Sequence, residues 1–259
     1  VALTSNPITG PEGRENRRAL AVALEVGVDL IGGCPHLDPD GTTLMSDAFA
    51  AASDAGIGLD LHVDEVLDPE VLYLRELARM VTDGGFAHPV TASHCVTLGL
   101  QSPEVQAAVS RQVADAGVNV VTLPQTNLFL QGRNHPTATP RGLTAMDALR
   151  QAGALVCAGA DNVQDPFNLV GRSDPLETAA LLVMAGHRLP DEAFRMIGAN
   201  ARACLGLPSA GPVVGAVADL VAIDAPSVRG AIADAPMARK VFHRGKLVAA
   251  TSQSRTIYR

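Results

Sequence analysis

The chain has 259 residues, 47% hydrophobic and 18% charged, with 20 Lys and Arg against 27 Asp and Glu for a net charge of −7. That is apolar material for one large domain, or one domain with an appendage. An acidic chain with no basic cluster speaks against nucleic acid and anionic membrane surfaces. The absence of Trp, at 3% aromatic content, speaks against base-stacking platforms, and no apolar run approaches the ~20 residues of a bilayer span.

The elements follow one another regularly. "VALTS" at the start has the pattern of a strand, and a helix is expected over 12–26, where Ala19, Leu20, Ala23 and Leu24 recur at helical spacing. "VDLIGG" (28–33) is a buried strand, 42–55 a helix stopped by Gly56, and "IGLDLHV" (57–63) a strand. A helix over 68–83 is expected to open on Asp68 as N-cap, with Pro69 at its first position. "PVTASH" (89–94) is a strand, 103–116 a helix stopped by Gly117, and "VNVVTLP" (118–124) a strand. A polar loop over about 125–142 leads to a helix over 144–152, the strand "LVCAGA" (155–160) and a helix over 174–187.

Six βα units in a row, with strands apolar on both faces, predict a parallel sheet covered by helices. No glycine-rich phosphate loop follows the first strand, so a (β/α)8 barrel is expected rather than a doubly wound sheet. The chain begins with Val1 inside a strand pattern, as a piece of a longer protein would, with the first two βα units missing. After a helix over 190–205 the texture changes. "GAVADLVAID" (215–224), "ARKVFHRGKLVAAT" (238–251) and the tail have the pattern of short antiparallel strands, with a turn at "HRGK". The expected division is a barrel over 1–205 and a β-sandwich portion over 206–259.

Barrel chemistry sits at the C-terminal ends of strands. Here His62, Asp64 and Glu65 end one strand, His94 another and Asp161 with Asn162 a third, while Cys34 and His36 follow "VDLIGG". Any one His has the alternative of a hydrogen-bonded core residue; imidazole and carboxylate at three strand ends together suit zinc or ferrous iron. Cys34, Cys95, Cys157 and Cys204 form no CxxC pattern and are expected as reduced thiols in a cytoplasmic protein, Cys34, Cys95 and Cys157 as small buried residues near strand ends. Lysine occurs only at Lys240 and Lys246, which excludes Schiff-base chemistry in the main body.

"LDLHVDE", "TASHC", "LPQTNLFLQGR" and "AGADNVQDPFN" resemble, in order, signatures of the cytosine deaminase branch of the amidohydrolase superfamily, and "VGAVADLVAID" resembles that superfamily's β-sandwich. The resemblance implies one divalent metal, Zn or Fe with Mn as an alternative. His62 and Asp161 would be ligands, and His94 would hold the water or the developing alkoxide near the metal. Asp161 would accept a proton from the metal-activated water, and Glu65 would carry a proton to a ring nitrogen. Asp64 would be structural or a support for the ligands. With no lysine before Lys240, the bridging lysine of two-metal members has no counterpart, which points to a mononuclear site.

The chain departs from the family in two places. No His-x-His pair is present, and where the family reads pyrimidine with a glutamine this chain has "TSNPITG", placing Ser5 or Asn6 there. Phe167 stands where an indole is typical. Substrate contacts are expected from Gln125, Asn127, Gln131, Asn162, Phe167 and Ser5, with backbone hydrogen bonding as the alternative for the 123–133 loop. The implied activity is deamination of a small heterocycle: an aminopyrimidine, triazine or pterin-like compound. The alternatives are a cyclic or side-chain amide hydrolase on the same scaffold, or a metal-free, non-catalytic barrel. The expected partner is a small molecule, with a homo-oligomer open.

Overall fold

The computed structural model describes residues 1–254 and 256–258. Five strands form a parallel sheet: β1 (Leu30–Gly33), β2 (Gly58–Val63), β3 (Val90–His94), β4 (Asn119–Thr122) and β5 (Val156–Ala158), paired in chain order. The segment "VALTS" adds a sixth parallel position beside β1 through a single bridge, in which Ala2 N–H donates to Leu30 O at 2.8 Å and Gly32 N–H to Ala2 O at 2.9 Å. A doubly wound sheet reverses its strand order at a switch point. Six positions in unbroken chain order are instead the wall of a barrel, as expected.

The helices are α1 (Arg14–Val26), α2 (Gly41–Ala55), α3 (Tyr73–Gly84), α4 (Pro103–Asp115), α5 (Pro124–Leu130), α6 (Met146–Gln151), α7 (Pro175–Met184), α8 (Pro190–Ile197), α9 (Ala199–Cys204) and α10 (Val228–Asp234). Strand alternation fixes which face they cover. In β2, Leu59, Leu61 and Val63 are fully buried and join a core with Leu44 and Met45 of α2 and Leu74 and Leu77 of α3. Asp60 and His62 alternate with them and face the other way, half-buried. In β3, Val90 and Ala92 join the core while Thr91 and Ser93 lie beside Asp60 and His62 in register.

Within the expected barrel portion three elements differ most from expectation, and beyond it the helix α10 was not expected. Helix α3 begins at Tyr73 rather than Asp68, whose carboxylate instead accepts from Glu70 N–H at 3.0 Å in a turn. The opening of α3 is held from a distance by Asp64, whose two oxygens accept from Tyr73 N–H at 2.8 Å and Leu74 N–H at 3.0 Å. The stretch expected as a polar loop contains α5. The helix expected over 190–205 breaks at Gly198 into α8 and α9.

A second, antiparallel sheet comprises β6 (Leu220–Ile223), β7 (Arg239–His243) and β8 (Lys246–Thr251). The expected turn is present, with Arg244 and Gly245 both at positive φ, the pairing that suits a two-residue hairpin. The described residues of the tail after Thr251 form no strand. Arg239 of β7 donates through both Nη atoms to the Asp174 carboxylate, at 2.9 and 2.8 Å. Asp174 also caps α7 by accepting from Leu176 N–H at 3.1 Å, so one carboxylate ties the antiparallel sheet to the barrel helices.

Asp64→Ala strips two N–H groups of their only acceptor, one of them buried, and should cost about 1–3 kcal/mol in urea denaturation. An unchanged midpoint would refute this capping role. Asp174 is held below its ordinary pKa, chiefly by its hydrogen bonds from Arg239. Its contribution, on the order of 1–2 kcal/mol at neutral pH, is therefore present above the unfolded value of about 3.9 and lost as pH falls through the folded value. The stability gap between the protein and Asp174→Asn should close on acidification; a gap independent of pH would refute the ion pair.

Candidate metal and proton-transfer site

Parallel pairing aligns the strand ends, and the register His62↔Ser93 and Val63↔His94 puts the lips of β2 and β3 side by side. They are laced together: Val96 N–H donates to Asp64 O at 3.0 Å, and Thr97 Oγ1 to Val66 O at 2.9 Å. Simple alternation would put Asp64 on the same side as His62, and His94 on the same side as Val90. Neither occurs. Asp64 (φ 55°) and His94 (φ 68°) adopt left-handed backbone, as does Asp161 (φ 42°) beyond β5. For non-glycine residues this conformation costs energy and recurs at functional sites. It turns Asp64 outward onto α3 and brings His94 to Glu65 and Asp161.

His62, His94 and Asp161 each offer a ligand atom, and those atoms lie within 4.8 Å of one another. His94 Nε2 is 3.4 Å from Asp161 Oδ2, and the two imidazole centroids are 5.0 Å apart. His62 Nδ1 and His94 Nε2 are buried without any hydrogen-bond partner. Donors around a tetrahedral ion with bonds of about 2.0–2.2 Å stand about 3.3–3.6 Å from one another, so the orphaned nitrogen and the facing carboxylate fit a shared cation.

Burial, joined by smaller contributions from neighbouring His62 and His36 and opposed by the hydrogen bond with Asn127, lowers the pKa of His94 to about 3. The ring is therefore neutral, as a metal ligand must be, and its contacts with acids are not ion pairs. His94 Nδ1 lies 2.9 Å from Asn127 Oδ1 and 3.3 Å from Glu65 Oε1, which itself has no hydrogen-bond partner. Burial, and then the charge of Asp161, push the Glu65 carboxyl up to about 7. Asp161 is also raised, chiefly by burial.

The other expected contacts divide. Asn127 and Gln131 engage the site itself, Gln131 Nε2 donating to Glu65 O at 3.1 Å. Gln125 instead donates to Thr178 of α7 at 2.7 Å. Asn162 donates to Asp165 at 2.6 Å and accepts from Asn168 at 2.8 Å, organising its own loop. Phe167 is half-exposed on that loop, and Ser5 is exposed, making no side-chain hydrogen bond among the described residues. Asn6 donates to Cys34 O at 3.1 Å and to Asp38 at 3.2 Å. His36 Nδ1 lies 3.2 Å from His62 O, near the end of β2.

Two further groups border the site, of which the sequence pointed to one. Cys34, expected as a small buried thiol, is only partly buried, and it lies close enough to Glu65 and Asp161 for their charges to add to burial in raising its thiol to about 11. Asp60 shares the inner face with His62, 3.4 Å from Ser93 Oγ. The i, i+2 spacing of Asp60 and His62 in "LDLHVDE" was the signal for it.

Residues 6–249 match the model of the amidohydrolase family, Amidohydro_3. The chain is 37% identical over 233 residues to a pterin deaminase of Rhizobium rhizogenes (strain K84 / ATCC BAA-868), covering 88% of this chain and 53% of that protein. It is similar to the structure of 5-methylcytosine deaminase from Klebsiella pneumoniae liganded with 5-fluorocytosine, at TM-score 0.82 and 26% identity over 96% of this chain and 61% of that one. It is also similar to N-isopropylammelide isopropylaminohydrolase from Burkholderia multivorans ATCC 17616, at TM-score 0.81 and 30% identity over 96% and 62% of the two chains. The chain thus spans about half the length of the curated relative and about three fifths of these structures. With its parallel barrel wall, its antiparallel appendage and its strand-end imidazoles and carboxylates, the chain belongs to the amidohydrolase family.

Proposed function

We propose that this chain carries the metal and proton-transfer side of a hydrolase that deaminates a nitrogen heterocycle, with a pterin-like aminoheterocycle as the first substrate to try. The observation that carries the reading is the convergence of His62, His94 and Asp161 within 4.8 Å, with Glu65 beside them at 3.3 Å from His94. The 37% identity to a pterin deaminase supports the substrate class, against 26% and 30% for the cytosine- and ammelide-type structures.

A single divalent ion would be held by His62, His94 and Asp161; neutral nitrogen with carboxylate oxygen suits zinc or ferrous iron, with manganese as an alternative. Such an ion supplies Lewis acidity that brings the pKa of a water towards ~7, making hydroxide available at neutral pH. Glu65 takes a proton from the attacking water and delivers it to the ring nitrogen beside the carbon under attack. As the carbonyl forms, the second proton of the former water passes from its hydroxyl to the exocyclic nitrogen, the C–N bond breaks, and the amine leaves as ammonia. The balance is amidine plus water giving amide plus ammonia. Asp161 orients the water and accepts hydrogen bonds as the carbon becomes tetrahedral. The half-buried inner face limits competing solvent around Glu65, which is why its carboxyl sits near neutrality and can both take and give a proton.

The alternative of a side-chain amine hydrolase has one observation in its favour, the 30% identity to the isopropylaminohydrolase. Its leaving group would be an alkylamine. Ammonia and alkylamine release should be measured in parallel from pterin, cytosine, 5-methylcytosine, an aminotriazine and an N-alkylaminotriazine, with metal content determined on the same protein. Ammonia from pterin with a divalent metal bound is the expected result. Alkylamine release alone would replace the first reading by the second, and a metal-free protein inert towards all five would overturn both. Glu65→Gln should retain metal and lower kcat by about 10²-fold or more; unchanged turnover would remove Glu65 from proton transfer.

A further inference from the structure

Helix α5 has the sequence of a loop with amides free to reach a substrate. Its side chains are bonded elsewhere. Asn127 is fully buried, and its Oδ1 lies 2.9 Å from Nδ1 of the equally buried His94. Gln131, one turn later, donates from Nε2 to the carbonyl of Glu65 at 3.1 Å. Residues at i and i+4 share one helix face, so a single turn delivers an amide to each of two different strand ends. The turn is itself fixed, since Asn127 N–H donates to Leu123 O at 3.1 Å and Gln131 N–H to Asn127 O at 2.9 Å. Gly142 packs flat against Gln131: a Cβ there would stand 2.6 Å from Gln131 Cβ, at a φ of +65° that disfavours any side chain.

We propose that Asn127 and Gln131 are positioning residues, Asn127 fixing the His94 tautomer that leaves Nε2 free for a cation and Gln131 fixing the backbone from which Glu65 moves its proton. The proposal rests on the metal-hydrolase reading of the site. His94 Nδ1 faces Asn127 Oδ1, an acceptor, and Glu65 Oε1, an acceptor whenever that carboxyl is ionised. A proton on Nδ1 is satisfied there by Asn127. A proton on Nε2 would leave the Nδ1 lone pair facing acceptor oxygens, unless the Asn127 amide were rotated. Nε2 then keeps its lone pair, unpartnered, opposite Asp161 Oδ2. The group on the far nitrogen of a metal-binding imidazole sets both its tautomer and its basicity, and removing it typically costs 10–100-fold in metal affinity or activity.

The test is long-range ¹H–¹⁵N spectroscopy of ¹⁵N-histidine-labelled protein, with His94 assigned by substitution, alongside metal content per chain after equilibration with zinc. The native protein should show His94 protonated at Nδ1. Asn127→Leu, close in volume, should move the proton to Nε2 and weaken zinc binding about 10-fold or more, while Asn127→Asp, which keeps the acceptor, should retain both native properties. Should Asn127→Leu fail to fold, Asn127→Ser, too short to reach Nδ1, gives the same comparison. Gln131→Leu should keep the His94 tautomer and zinc affinity while lowering kcat with KM little changed. A folded Asn127→Leu with native tautomer and affinity overturns the role of Asn127, as does a native spectrum with Nε2 protonated. Equal loss in the Asp and Leu variants reduces Asn127 to packing and also overturns it, and native kcat in Gln131→Leu overturns that of Gln131. Wild-type protein that takes up no divalent metal overturns the underlying reading instead, and the metal-free spectra still decide whether Asn127 sets the tautomer.

Discussion

With the proposed proton on Nδ1, the buried His94 Nε2 presents a lone pair to the half-buried Asp161 Oδ2 across 3.4 Å, with no hydrogen bond joining them and His62 close by. Left alone, lone pair against lone pair in a poorly solvated position is unfavourable. It is tolerable where a cation or a proton lies between. The rest of the architecture holds that apposition in place: parallel pairing levels the strand ends, the core behind β2 and β3 is closed by α2 and α3, and α5 braces the lip from the side.

The lip depends on breaking the alternation that builds the wall behind it. Along β2 the parity is strict, core residues at Leu59, Leu61 and Val63 and inner-face residues at Asp60 and His62. A strand continued unchanged would send Asp64 inward and Glu65 out. The left-handed residue at Asp64 reverses this, and its carboxylate uses the outward position to start α3. His94 and Cys95 repeat the manoeuvre on β3, with the thiol of Cys95 taking the core side while the imidazole turns to the site. Strain at the lip is thus compensated by a helix cap in one case and by core packing in the other.

Much of this was legible in sequence because it rests on periodicity. The order of strands and helices, the glycine stops at Gly56 and Gly117, both at positive φ, and the hairpin at Arg244-Gly245 follow from local rules. So does the grouping of His62, His94 and Asp161, which share a place at strand ends. The misread parts are those where a distant group overrides a local signal. Asp68-Pro69 has the form of a helix start, yet the helix waits for Tyr73, where Asp64 supplies the acceptor. Polar residues in 125–131 have the composition of a loop, yet they pack as a helix because Gln125, Asn127 and Gln131 find partners on Thr178, His94 and Glu65. A one-dimensional pattern carries no mark of an amide whose partner lies in another βα unit.

The three acids of "LDLHVDE" show why titration behaviour alone does not identify a catalytic group. Asp60, Asp64 and Glu65 are all raised by burial, and Asp64 and Glu65 both reach about 7. Their accessibility separates them. Both oxygens of Asp64 are taken by backbone N–H groups in the closed core, so a proton there has no route to a substrate. Asp60 lies further back along the same inner face, opposite Thr91 in the register and without a place at the lip. Glu65 alone among them combines a raised pKa, an Oε1 without a hydrogen-bond partner and a side chain still 17% exposed. A proton carrier needs a free oxygen and a path as much as a matched pKa, and by that criterion Glu65 is the acid of this heptapeptide that fits the proposed proton carrier, beside a candidate metal ligand at His62 and a helix cap at Asp64.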